Sequence, residues 1–207
     1  MTGRLSGRLA AHLKENFGLY LLILFFFLIG LVSGMVTVKI LPDGQRDGLQ
    51  SILGVVTDNT ARPLSETLQR SLFTHYQALI LITLSGFTVL GPPVALAIVG
   101  VRGFSQGFTL ASMCYVWGFK GALAAFLTLF IPALILLPVL WFLALKSIQM
   151  STEALRLKIM HLHMPLDRKK SYLSSCCSGG VILLGVVLFE AFLAPWILSG
   201  LSGWLIS

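Results

Sequence analysis

Charge is what this sequence has least of. Only 11% of its 207 residues are charged, against about 25% in an ordinary soluble domain. With 56% hydrophobic residues, that excludes both a water-soluble globular fold and a disordered chain. Acidic residues are scarcer than basic ones, 8 against 15, for a net charge of +7. The excess does not describe a nucleic-acid surface. Its basic residues sit in short segments between long uncharged runs, as membrane topology distributes them. Cysteine is also sparse. Cys114, Cys176 and Cys177 are the 3 present, with neither metal spacing nor a disulfide framework, so they read as small packing residues. Catalytic signatures are missing: there is no H-E-x-x-H, no G-x-S-x-G, no phosphate loop and no pair of intramembrane acids. His161 and His163 stand two apart and point to different faces of a helix, which does not make a metal site. The expectation is a protein that is not an enzyme and holds no cofactor and no metal.

What the chain has is apolar length. Its mean hydropathy is +0.89, and its size suits roughly four to six spanning helices of about 20 residues each. The fold expected is all-α: a polytopic transmembrane helix bundle forming one domain over 1–207. About five spans are expected, at 17–38, 76–101, 103–119, 121–145 and 173–194, some of them proline-broken or re-entrant. Phe17 to Val38 is uncharged and lacks a signal-peptide cleavage pattern. Ser71 to Val101 is longer than one crossing needs, and Gly91-Pro92-Pro93 interrupts it. Successive prolines cannot donate backbone hydrogen bonds, so a kink is expected there. His75 and Tyr76 suit an outer interface. Gly103 to Phe119, bracketed by Arg102 and Lys120, is short and polar, with Ser105, Gln106, Thr109 and Ser112. It either spans among other helices or forms a re-entrant hairpin. Pro132 and Pro138 predict a second kinked helix. The last run is broken by Pro195.

Two polar segments remain. Residues 39–70 are expected as an extracytoplasmic loop with short amphipathic helices. Within it, Leu49, Ile52, Leu53 and Val56 recur at helical spacing and mark one face, a candidate partner surface. Leu64, Leu68 and Leu72 form a second stripe. Residues 146–172 are expected as a basic cytoplasmic loop, with Lys146, Arg156, Lys158, Arg168, Lys169 and Lys170. Ile148, Leu155, Ile159 and Leu162 fall on one helical face, so the fourth helix can continue as far as Pro165. A cytoplasmic N-terminus puts roughly twice as many basic residues inside as outside, counting Arg102 as an inner loop residue. The charge bias therefore predicts a multi-pass protein with its N-terminus in and its C-terminus out.

Glu190 is the sharpest single residue, because an ionisable group within a spanning segment is a functional hypothesis by default. It could pair with Arg102, Lys120 or Gln106, serve a partner or an ion, or lie at the interface. Gly30 and Gly34, and Gly103 and Gly107, form two G-x-x-x-G pairs. Small residues at that spacing let helix backbones approach closely, within the bundle or in a homo- or hetero-oligomer. Proline-broken helices and a lone acid also allow a small-solute or ion transporter or channel.

Four blocks in this order resemble the stage II sporulation protein M family of bacterial membrane proteins. They are Gly30-Leu-Val-Ser-Gly34; Gly91-Pro92-Pro93 followed by Arg102-Gly-Phe-Ser-Gln-Gly-Phe108; Trp117-Gly-Phe-Lys-Gly121 leading to Pro132 and Leu137-Pro138; and Phe189-Glu-Ala-Phe-Leu-Ala-Pro195. The doubled proline departs from the single one expected in the family pattern. The resemblance implies a scaffold in the bacterial cytoplasmic membrane. It would anchor and localise extracytoplasmic or membrane-anchored peptidoglycan hydrolases, as in forespore engulfment during sporulation. It supplies no catalytic residues, and it adds weight to Glu190 and Pro195.

Overall fold

The computed structural model describes the backbone at residues 14–42, 44–45, 48–49, 64–161 and 165–206, and side chains within these ranges except at 64–67, 70, 130 and 189–206. Among the described residues there are five α-helices and no strand: α1 (Phe17–Ile40), α2 (Leu64–Ser85), α3 (Gly91–Ala125), α4 (Ile131–Ile159) and α5 (Leu166–Ile206), with a π-helical turn, Phe126–Phe130, between α3 and α4. The chain is an all-α polytopic bundle. Phe17–Ile40, Gly91–Leu129, Ile131–Ile159 and Leu166–Leu188 are each long and apolar enough to cross a membrane.

The apolar residues explain the architecture. α1 is apolar all round, and only Ile23, Phe27, Gly30, Gly34 and Val38 are buried along one stripe. Leu21, Phe25, Leu28, Ile29, Val32 and Val36 stay exposed on the other side. A surface this apolar is stable against lipid, not water. Hydroxyls within the helices satisfy themselves: Ser33 donates to the Gly30 carbonyl at 2.8 Å and Thr37 to the Ser33 carbonyl at 2.8 Å. A central cluster of Ile23, Phe27, Ile82, Val99, Leu140, Leu143 and Leu145 joins α1 to α4.

The contacts fix the directions. Gly30 faces Gly100 and Gly34 faces Phe104, so α1 and the first part of α3 run parallel. Gly91 lies against Ser151 and Ser85, Tyr76 bonds the Gly180 carbonyl, and Leu183 packs with Leu136. The chain therefore traverses the bundle five times in alternating directions. One end carries Asn16, the turn at 86–90 and the basic segment from Lys146 to Lys170. The other carries the C-terminal end of α1, the start of α2 and the reversal at Gly118.

Several span boundaries differ from the hydropathic expectation. Residues 76–101 are not one span. The uncharged run hides a reversal at 86–90, and Gly91-Pro92-Pro93 opens α3 instead of kinking a helix. Prolines occupy its first turn, where a missing N–H breaks no intrahelical bond. Nor is 103–119 a separate or re-entrant segment, since it continues α3 from Gly91. Arg102 thus lies inside a traversing helix, not in a connecting loop. The true reversal is at Gly118, with φ 58° and ψ −132°. That region is open to glycine at no cost and strained for other residues. Pro138 is accommodated inside α4, and α5 continues through position 195 to Ile206. Leu64, Leu68 and Leu72 begin α2 instead of forming a separate surface helix. Much of 146–172 is helical too, with Ser147, Met150, Ser151 and Tyr172 buried, so this segment extends the bundle. His75 is buried midway along α2, and Tyr76 is tied to α5, so neither anchors an outer interface.

Candidate functional site

Two kinds of residue build the interior. The first is glycine. A Cβ at Gly30 would stand under 3.0 Å from the Gly100 carbonyl, and one at Gly34 equally close to the Phe104 carbonyl. A Cβ at Gly103 would meet the Phe27 carbonyl, and at Gly107 the Leu31 carbonyl, just as closely. The two G-x-x-x-G pairs therefore interlock α1 with α3, backbone against backbone, as small residues allow in membranes. All four are buried within this chain.

The second is a set of hydroxyls at the basic end. α2 ends inside the bundle, where Gly86, Phe87 and Thr88 donate backbone N–H bonds to the Ile82, Leu84 and Ser85 carbonyls and side-chain hydroxyls fill remaining acceptor capacity of the last turn. Ser147 donates to the Ile82 carbonyl at 2.9 Å and lies 2.9 Å from the Ser85 hydroxyl. Tyr172 donates to the carbonyls of Ile82 at 3.2 Å and Thr83 at 3.0 Å. Ser151 donates to the Thr88 carbonyl. A Cβ at Gly86 would collide with the Tyr172 hydroxyl, and one at Gly91 with Ser151. Hydroxyls from α4 and α5 thus replace water around the 86–90 turn, which is why an uncharged sequence can reverse there.

Between α2, α3 and the start of α4 lies a polar cavity of about 270 Å³. α2 contributes Ser71, Thr74 and His75; α3 contributes Arg102, Ser105, Gln106 and Thr109. The opposite wall is Thr128 and Leu129 of the π-turn, then Pro132, Ala133 and Leu136. Arg102 follows Gly91 by eleven residues, about 17 Å along a helix, which places it near mid-span. Its Nη2 donates to the Thr74 carbonyl. Thr109 and Thr128 donate to carbonyls of their own helices at 2.9 and 2.8 Å. Pro132 has no N–H to give the preceding turn, and the backbone there widens into a π-helix, a form frequent at functional sites.

The structure brings only some of the sequence candidates together. Gly30, Gly34, Gly103 and Gly107 meet in the seam. Gly91 is buried against Ser151, Pro92 sits in the first turn of α3, Pro132 lines the cavity, and Pro138 is exposed on α4. Glu190 and Pro195 lie in α5, their side chains outside the described set. Leu49 is half-buried, whereas Ile52, Leu53 and Val56 fall outside the described residues, as does His163. Among the described residues no cluster of His, Cys, Asp or Glu could hold a metal ion. Ser85, Ser147, Ser151, Tyr172 and the cavity's His75 and Arg102 were not legible as site residues. The available signals were spacings: Ser147 and Ser151 at i and i+4, and Arg102, Ser105, Gln106 and Thr109 within two turns of one helix.

A family model described as Stage II sporulation protein M matches residues 23–195. No curated protein and no solved structure matches the chain.

Proposed function

This chain belongs to the stage II sporulation protein M family, and from that premise we propose that it is an integral membrane scaffold that holds wall-remodelling partners, as in forespore engulfment. It acts by binding and not by catalysis. The observation that supports this reading is the placement of the connectors. The long connection leaving α1 at Ile40 and entering α2 at Leu64 is at the end opposite Lys146, Arg156, Lys158, Arg168, Lys169 and Lys170. Basic residues mark the cytoplasmic side. That connection then faces the extracytoplasmic space of a bacterial cytoplasmic membrane, where peptidoglycan hydrolases work. The N-terminus is cytoplasmic, and α5 carries the C-terminus outward. Moving Arg102 from an inner loop to mid-span leaves the charge bias in place.

The glycine seam packs α1 and α3 backbone against backbone, the close approach that small residues allow in membranes. The test is affinity recovery of the tagged protein from gently solubilised native membranes, with partners identified by mass spectrometry. Recovery of peptidoglycan hydrolases is expected. Replacing Leu49, Ile52, Leu53 and Val56 together by serine should abolish it while the protein still accumulates in the membrane. Unchanged recovery would remove that stretch as the partner surface. The polar cavity favours a second reading, passage of a small solute or ion, for which flux from liposomes is the direct measurement.

A further inference from the structure

We propose that the ends of α4 and α5 beyond the 86–90 turn form an interfacial seat for an anionic phospholipid, its headgroup phosphate held by Arg156 and Arg168. Three observations carry it. The first is height. Ser151 bonds the Thr88 carbonyl, and Tyr172 bonds the Ile82 and Thr83 carbonyls, so both are level with the turn. Phe87 and Leu90 on that turn are exposed, which suits the hydrocarbon side of a membrane boundary and not water. α4 runs on to Ile159, about 12 Å past Ser151 at the rise of a helix. α5 starts at Leu166, about 9 Å before Tyr172 on the same measure. A headgroup layer is about 5–7 Å deep on each side, so both ends cross it.

The second is composition. Residues 152–170 hold five basic residues against two acidic ones, and Arg156, Lys158, Arg168, Lys169 and Lys170 are all exposed. Leu155, Ile159, Met160 and Leu166 are exposed among them. In water those four apolar side chains gain nothing. At the headgroup boundary apolar groups enter the acyl layer and basic groups meet phosphates. The third is a groove of about 470 Å³ between the start of α1 and α4, against about 30 Å³ for a liquid water. Leu19, Ile148 and Leu157 give it apolar wall, and Arg156 and Arg168 line it with Glu153. Arg168 Nη1 lies 3.2 Å from the Glu153 carboxylate, and such an exposed pair is weak. A guanidinium carries five N–H groups, so Arg168 can hold Glu153 and a phosphate oxygen together. Arg156 adds a second planar fork that matches phosphate. A zwitterionic headgroup brings an ammonium of its own, which meets the arginines as a like charge.

The proposal needs this end to lie at a membrane surface, which holds in either orientation of the chain, and its failure would leave partner capture untouched. The experiment titrates single lipids onto the full chain in an uncharged detergent, with bound lipid counted by native mass spectrometry. Phosphatidylglycerol is expected to bind at least about tenfold more tightly than phosphatidylcholine, the scale of a charged hydrogen bond, and to be weakened by added salt. Arg156→Gln with Arg168→Gln should remove that preference, while Arg156→Lys with Arg168→Lys keeps part of it. Lys158 and Lys169 lie outside the groove lining. Lys158→Gln with Lys169→Gln removes the same charge and should change binding less than about twofold, because separated exposed charges are screened. Arg156→Gln alone leaves the Arg168–Glu153 pair in place and serves if the double variant does not accumulate. Equal binding of the two lipids overturns the proposal. So does a loss as large in the lysine pair as in the arginine pair, or displacement of the lipid by inorganic phosphate at equal concentration, which would make the occupant a free anion. Recovery of a soluble acidic protein that is lost with the arginine pair, without any lipid preference, would assign the surface to a protein and likewise overturns it.

Discussion

At the scale of single residues, the bundle depends on atoms that are absent as much as on those present. Gly30, Gly34, Gly103 and Gly107 each face a carbonyl of the neighbouring helix, so even one methyl group must push α1 and α3 apart. Gly30→Ala or Gly107→Ala should therefore destabilise the fold by about 1–3 kcal/mol, the usual cost of overpacking. Gly185, where a Cβ meets nothing within 4 Å, is the control, and Gly185→Ala should be close to neutral. Thermal unfolding in detergent compares them. The hydroxyls at the basic end behave differently. Removing one leaves a carbonyl with remaining donors, so Ser147→Ala or Tyr172→Phe alone should cost roughly 0.5–1.5 kcal/mol. Because both donate to the Ile82 carbonyl, the double variant should lose more than the two single losses predict. A strictly additive result would show that the shared acceptor does not couple them. Arg168 and Glu153, 3.2 Å apart at the exposed end, contribute little by comparison, as solvent-exposed ion pairs do.

At the scale of elements, two reversals decide the topology, and they are built by opposite means. The turn at 86–90 is set by its neighbours: buried hydroxyls from α4 and α5 add second donors to the Ile82 and Thr88 carbonyls and bond the Thr83 carbonyl. The reversal at Gly118 is set by its own backbone. A Cβ there meets nothing within 4 Å, so the whole penalty of a side chain is conformational. Gly118→Ala should destabilise by about 1–3 kcal/mol, the scale of strained backbone, with no change in packing elsewhere. Equal stability of the alanine variant would mean that the reversal tolerates an ordinary φ. This difference explains what was legible. α1 was readable nearly to its ends, because its apolar run coincides with one helix. The α2–α3 reversal was not, because an uncharged stretch with two prolines fits a kinked helix and a helix start equally well. Only the position of Ser147, Ser151 and Tyr172 around the turn separates those cases, and these residues come from helices more than 60 positions away.

At the scale of the whole molecule, five alternating traversals place the end of α1, the start of α2 and Gly118 at one end and 86–90 with the basic residues at the other. In a background with Cys114, Cys176 and Cys177 replaced by alanine, a membrane-impermeant thiol reagent applied from outside should label Gln45→Cys and Phe119→Cys. It should leave Leu90→Cys and Lys158→Cys unlabelled until the membrane is opened. Labelling of Leu90→Cys from outside would invert the orientation, and with it the proposed location of the partner surface.

The sequence by itself determined the membrane class, the helical content, the approximate number of crossings and the family, because apolar length, basic bias and short motifs are local properties that survive without coordinates. It also marked the small residues that matter, since G-x-x-x-G declares a close approach without saying to what. Tertiary structure alone decided which helix those glycines meet, where the uncharged run turns back, and that His75, Arg102, Ser105 and Gln106 share one cavity. These depend on contacts between residues distant in the chain, and hydropathy averages over a polar residue in the same way whether it faces lipid, a loop or the inside of a bundle.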